Sequence, residues 1–147
     1  MSKTNAYENA LLELVFKNTN FALVGDATGL RGSSTAGSFY VSLHTSDPGE
    51  AGDQTTNETT YGGYARIAVA RSGSGFTVTG NSVSPAANIG DTTWDCTSST
   101  ATITHFGIGT ASSGAGVLLY KGAISPTISV STGVTPILTT ASAITED

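Results

Sequence analysis

The chain has 147 residues, of which 18 are Gly, 18 Ser and 24 Thr, and it carries a net charge of −5 with only six Lys plus Arg. So few cations cannot assemble the basic patch that neutralises phosphates, which excludes nucleic acid and a polybasic membrane surface as partners. No apolar run approaches the roughly 18–20 residues that a membrane span needs.

Low charge combined with so much Gly, Ser and Thr is compatible with a disordered chain. Against that stand a mean hydropathy of +0.05, an apolar fraction of 38% and the abundance of Thr, Val and Ile, which favour pleated, half-buried surfaces. The composition predicts a mainly β, single-domain β-sandwich or jelly-roll-like barrel of about 8–10 short strands with one N-terminal α-helix. Residues 1–37 form the helix and a Gly/Ser/Thr-rich connection, and 38–147 form the β body. Cys96 is alone and predicts an inert thiol, not a disulfide. The N-terminal stretch lacks a basic region and carries Glu8 and Glu13 through its apolar part, so it does not read as a signal peptide and cytosolic synthesis is expected.

In chain order, residues 5 to about 18 read as the helix, with Tyr7, Ala10, Leu11, Leu14 and Val15 as its apolar stripe. Thr4 or Asn5 caps it, Glu8 completes a capping box with Asn5, and Lys17 suits the C-terminal end of the dipole. The helix either covers the chain's own β body or docks on a neighbouring subunit. Phe21 to Gly37 reads as a connection with one apolar patch, Phe21 to Val24.

The centre of the chain is Ser38 to Arg71. Phe39, Val41 and Leu43 alternate with polar residues as a half-buried strand does, and Ala65, Ile67 and Val69 do the same. Between them, Asp47 to Gly63 is a polar loop opened by an Asp-Pro-Gly turn. Gly75–Thr79 and Ser82–Ser84 read as a hairpin joined at Gly80-Asn81 and closed by Pro85. Thr92 to Cys96 reads as a short strand with Trp94 facing in. Ala101 to Thr110 reads as a long strand whose phase slips between Thr104 and Phe106, as at a bulge. Val117–Lys121, Ile124–Val130 and Val134–Leu138 complete the set.

Chemical motifs are absent. There is no G-x-S-x-G elbow for a nucleophile, and His44 and His105 each follow an apolar strand run, which predicts hydrogen-bonded strand residues. Asp47 to Glu58 has the length of an EF-hand loop, but Gly49 and Ala51 stand where ligands belong and no helix flanks it. Asp47, Glu50, Asp53 and Glu58 are left as candidates for a weaker calcium site, against a solvated acidic loop. Gly107 to Gly114 is Gly-rich without G-x-G-x-x-G spacing or a following helix, and predicts a hairpin loop between Thr110 and Val117. The residues themselves call for no enzyme activity and no cofactor.

Ser42 to Arg71 and Thr104 to Asp147 contain the LHT-DPG turn at Leu43–Gly49, the Thr56-Asn57-Glu58 segment, the Y-x-GYAR strand at Tyr61–Arg66, HFGIGT at His105–Thr110, the LLY-G segment at Leu118–Gly122 and the closing ITED. Together these resemble a widespread family of small bacteriophage virion proteins commonly labelled tail fibre protein. Asn88 to Ser99, with Trp94 and Cys96, departs from that pattern. The resemblance implies a virion structural protein. Small size, acidic charge and Thr/Ser-rich faces favour a capsid decoration or cement protein that binds the major capsid protein and/or copies of itself. A tail fibre, minor tail or tail-tip adaptor protein bound to other tail proteins is the alternative. A carbohydrate-binding module using Trp94, Tyr61, Tyr64 or Tyr120 as stacking platforms is a further one. Tyr7, Leu11 and Leu14 of the helix, with Asp47, Tyr61 and Tyr64, are the candidate interface residues.

Overall fold

A computed structural model of the chain describes residues 2–25 and 29–146, so the expected Phe21–Gly37 connection lies partly outside the described residues. The chain is mainly β, with one N-terminal helix and two antiparallel sheets. The elements are α1 (Asn5–Lys17), β1 (Ser38–His44), β2 (Ile67–Ala70), β3 (Phe76–Thr79), β4 (Ser82–Pro85), β5 (Ala101–Gly109), β6 (Leu118–Val130) and β7 (Ile144–Thr145). Their order is β2-β1-β5-β6 in the larger sheet and β3-β4-β7 in the smaller. No described helix is long and apolar enough to cross a membrane. The chain divides into two compact units, one of Met1–Ser38, Ala70–Ala87 and Thr139–Asp147, the other of Phe39–Val69 and Asn88–Leu138.

In the first unit, Thr4 caps α1 by accepting from the Tyr7 N–H, so the predicted capping box between Asn5 and Glu8 does not form. Glu8, Leu12 and Phe16 are the buried residues of the helix, a row at i, i+4 and i+8 that packs against the β3–β4 hairpin. The Phe16 and Phe76 rings meet edge to face with centroids 4.9 Å apart. This corrects the expected stripe: Leu11 and Leu14 are only half-buried, and Tyr7 is exposed. Apolar residues occupy most of this helix's circumference, so periodicity alone could not choose the face. Asn18 ends the helix in the left-handed region at φ 59. Arg71 then takes up the carbonyls that the last turn leaves open, with Nε 2.7 Å from the Val15 oxygen and Nη2 3.0 Å from that of Leu14. Its Nη1 donates to Ala36. Gly80-Asn81 turns the β3–β4 hairpin and Pro85 ends it, as expected. The strand β7, absent from the sequence reading, pairs Thr145 with Ser82 and Ile144 with Val83.

In the second unit, β1 pairs antiparallel with β5 from Tyr40↔Gly109 to His44↔His105. Phe39, Val41 and Leu43 are buried as predicted, but Ser42 and His44 are also fully buried, so both faces of the strand's C-terminal half are covered. The predicted slip lies at Thr104: Ile103 pairs with Ile128 but His105 with Ala123, which loops out Ile124–Thr127. The two strands expected on either side of Gly122 are one, β6, and this partly explains why seven strands are named where eight to ten were expected. Val134–Leu138 makes only an isolated bridge, Leu138 to Ile89. Thr92–Cys96 is no strand, yet Trp94 faces in as predicted and is wholly buried.

Candidate functional site

The polar chemistry of the chain gathers where the loop between β1 and β2 meets the turn between β5 and β6. The loop is held on both sides. Thr45 N donates to the Asn57 oxygen at 2.9 Å and Thr59 N to that of Leu43 at 3.0 Å, extending β1 by a short ladder. Asp47 Oδ1 accepts from Gly49 N, and Asn57 Nδ2 donates to the Asp47 carbonyl, which closes the Asp-Pro-Gly turn. Gln54 is fully buried. Its backbone N–H donates to the Ala115 oxygen at 2.9 Å, and its Oε1 accepts from Ala111 N at 2.8 Å. A side chain on Gly109 would overlap the Gln54 amide, and one on Gly107 would lie 2.8 Å from both Ser42 Oγ and His44 Nε2. The glycines of HFGIGT are therefore required by close approach, not by a ligand. The turn itself is the hairpin loop expected, closed by Thr110 N donating to Val117 at 3.1 Å.

Beside Gln54 sits a charged pair. Arg66 donates to Glu58 through Nε and Nη2, each at 2.7 Å, and its Nη1 donates to the Ala111 oxygen at 2.9 Å. The Arg66 side chain is 3% exposed and that of Glu58 16%. Such a two-pronged, desolvated pair is stronger and more directional than a surface ion pair. Tyr64 bridges it to β1, donating its hydroxyl to Glu58 Oε1 at 2.7 Å and accepting from Leu43 N at 3.1 Å. Burial first, and then the Glu58 carboxylate, push the Tyr64 pKa far above its ordinary value, against the Leu43 N–H, which pulls it down. Tyr61 is a core residue whose hydroxyl donates to the Trp94 carbonyl at 3.1 Å, and burial pushes its pKa up to about 12.

The candidate calcium ligands do not converge, and no cluster of three potential metal-ligating side chains occurs among the described residues. Asp47 and Glu50 both pair with Lys121, each at 3.1 Å. Hydrogen bonding to Gly49, ahead of the Lys121 partner, holds the Asp47 carboxyl below the usual range. Asp53 accepts from the Thr55 N–H and hydroxyl and from the Thr56 hydroxyl, and Glu58 belongs to Arg66. Of the candidate interface residues only Tyr7 and Asp47 are exposed; Leu11, Leu14 and Tyr64 are half-buried and Tyr61 is buried. With Trp94 also buried, the predicted stacking platforms are reduced to the half-buried Tyr64 and Tyr120. Gln54, Arg66 and Thr59 were missed. The lone Arg66 opening an apolar strand run and the paired glycines of HFGIGT were the available signals.

Ser42 and His44 have the spacing of a nucleophile and its base. Ser42 Oγ lies 2.8 Å from His44 Nε2, and His44 Nδ1 lies 2.9 Å from the Thr56 oxygen. A carbonyl only accepts, so Nδ1 carries the proton and Nε2 accepts from Ser42. A carbonyl stands where a triad has its carboxylate, and both side chains are fully buried, so the pair serves packing. Burial lowers the His44 pKa, with Glu58 raising it and Arg66 and His105 lowering it from nearby. The folded chain then resists a proton that the unfolded chain accepts. Stability should be fully present above about pH 6.5 and fall as pH drops toward the depressed value, by at most about 1.4 kcal/mol per pH unit for this one proton. Urea unfolding between pH 7 and pH 5 checks this, and a slope unchanged in His44→Gln would remove His44 as its source.

Such a site defines a small, mainly β protein whose polar clusters tie loops to strands. Compared with known families, the chain matches Gp80, described as podophage GP4 fiber I protein gp80, over residues 2–145, and it belongs to that family. This is a family of structural fibre proteins of the phage virion, not an enzyme family. Comparison with curated proteins finds no match.

Proposed function

We propose that the chain is a tail-fibre-type component of the virion that acts by binding other virion proteins, without catalysis. The observation that carries this reading is the family match, which spans residues 2–145 and bears the fibre description. The anchored loops and the Glu58–Arg66 pair suit a subunit that must hold its shape when bound. Its partners are then tail proteins, with exposed Tyr7 and Asp47 as contact candidates.

Capsid decoration, with the major capsid protein and sister copies as partners, is a second reading. It is favoured by the net charge of −5 and by a sequence with no repeated segment from which a long shaft could be built. Burial spread over many weak contacts would then stabilise the shell. Copy number per purified virion, measured by quantitative mass spectrometry, separates the two. A tail position gives about three to a few dozen copies, whereas a count approaching that of the major capsid protein, or a simple fraction of it, would replace the tail reading with decoration. Absence from virions would overturn both.

A further inference from the structure

Two open grooves flank the Glu58–Tyr61 segment, both within the unit built around β1 and β5. The larger, of about 440 Å³, is lined by Glu58, Thr60, Tyr64, Arg66, Ser112 and Ser113 among others. Its volume falls in the range of about 300–1,000 Å³ usual for small-molecule sites. The smaller, of about 260 Å³, adds Thr45, Ser99 and Thr100 on the other side. Thr59 lines both grooves and is only 3% exposed. Its hydroxyl is the one buried side-chain polar atom without a hydrogen-bond partner among the described residues. A buried hydroxyl left unpaired costs about 1–3 kcal/mol, so this position is poised for a group that supplies the missing bond.

We propose that this pair of grooves binds a neutral oligosaccharide. Half of the lining residues of the two grooves are Ser or Thr, whose hydroxyls both donate and accept, as sugar hydroxyls do. The charges present are Glu58 and Arg66, which neutralise each other, so the lining offers no net charge to an anion. The chain's overall charge of −5 further disfavours uronate, sulfated or phosphorylated glycans. Tyr64 and Ala65 supply the apolar edge against which a sugar ring can rest. Glu58 is the only carboxylate in either lining. Hydrolysis of a glycosidic bond uses a pair of carboxylates, so the site binds without cleaving. This inference is independent of whether the chain sits on the tail or the head.

The test is an array of defined neutral and anionic oligosaccharides probed with the full chain, followed by calorimetric titration of the best neutral hit. Ser113 is exposed on the hairpin loop, so Ser113→Trp fills the larger groove without touching the core. It should weaken binding at least about tenfold, which corresponds to about 1.4 kcal/mol. Thr59→Val keeps the shape and removes the unpaired hydroxyl; it should weaken binding by a similar factor while leaving Tm unchanged or higher. No neutral hit, hits confined to anionic glycans, or unchanged binding in Ser113→Trp would each overturn the proposal. Unchanged binding in Thr59→Val would overturn it as well.

Discussion

Replacing Arg66 by Ala should lower stability by about 3–5 kcal/mol, because it strands a partly buried carboxylate instead of merely removing a contact. Arg66 makes two 2.7 Å bonds to Glu58 and a third, at 2.9 Å, to the Ala111 carbonyl. Glu58 would keep only the Tyr64 hydroxyl, and the turn between β5 and β6 would lose its anchor to the β1–β2 loop. At the usual scaling for a chain near this length, Tm should fall by about 10–15 °C. The sharper test is a double change. Glu58→Leu combined with Arg66→Met removes both charges and fills their volume, and should recover much of the loss, since a well-packed apolar pair is often as stable as a buried ion pair. Thermal melts of the three proteins decide it. A loss below about 1 kcal/mol for Arg66→Ala would mean that the pair behaves as a solvent-screened surface bridge.

Trp94→Ala should cost about as much, about 3–5 kcal/mol, through a cavity and not through charge. Trp94 is the only tryptophan and is fully buried. Its Nε1 donates to the Ala65 carbonyl at 2.8 Å, just before the strand that carries Arg66's neighbours. Truncation removes the largest fully buried side chain of the chain and leaves that carbonyl unpaired. Wild-type fluorescence should be blue-shifted and resistant to acrylamide, moving to the red only on unfolding. A red-shifted, readily quenched native emission would contradict the burial. It would also revive Trp94 as a surface stacking platform.

Much of the fold is legible in local sequence. The helix is marked by its Ala, Leu and Glu content and by Thr4 at its start. β1 and the β3–β4 hairpin follow from two-residue alternation and from Gly80-Asn81. The irregularity at Thr104 is visible as a change of phase. Where reading fails, the cause is specific. Leu12 and Phe16 were passed over because apolar residues surround the helix and only the β3–β4 surface selects a face. Tyr61 was taken for a surface aromatic, and Trp94 was offered both as an inward-facing residue and as a stacking platform, because amphipathic side chains have the same local appearance whether they line a core or a partner. β7 is two residues long and exists through pairing with β4, so no local pattern announces it.

The candidate site divides the same way. The sequence by itself determined a β-rich, acidic chain without catalytic or metal-binding motifs, and the resemblance that the family match bears out, since composition, periodicity and motif spacing are properties of neighbouring residues. Only the tertiary structure decided that Glu58 pairs with Arg66 and Tyr64, and that Gln54 fills the space left by Gly109. The partners lie far apart in the chain: Gln54 meets Ala111, and Arg66 reaches the same residue. Closing such loops costs entropy that local preference cannot offset. Burial of the whole β1–β5 neighbourhood supplies the compensation, and so it is packing that selects these pairings.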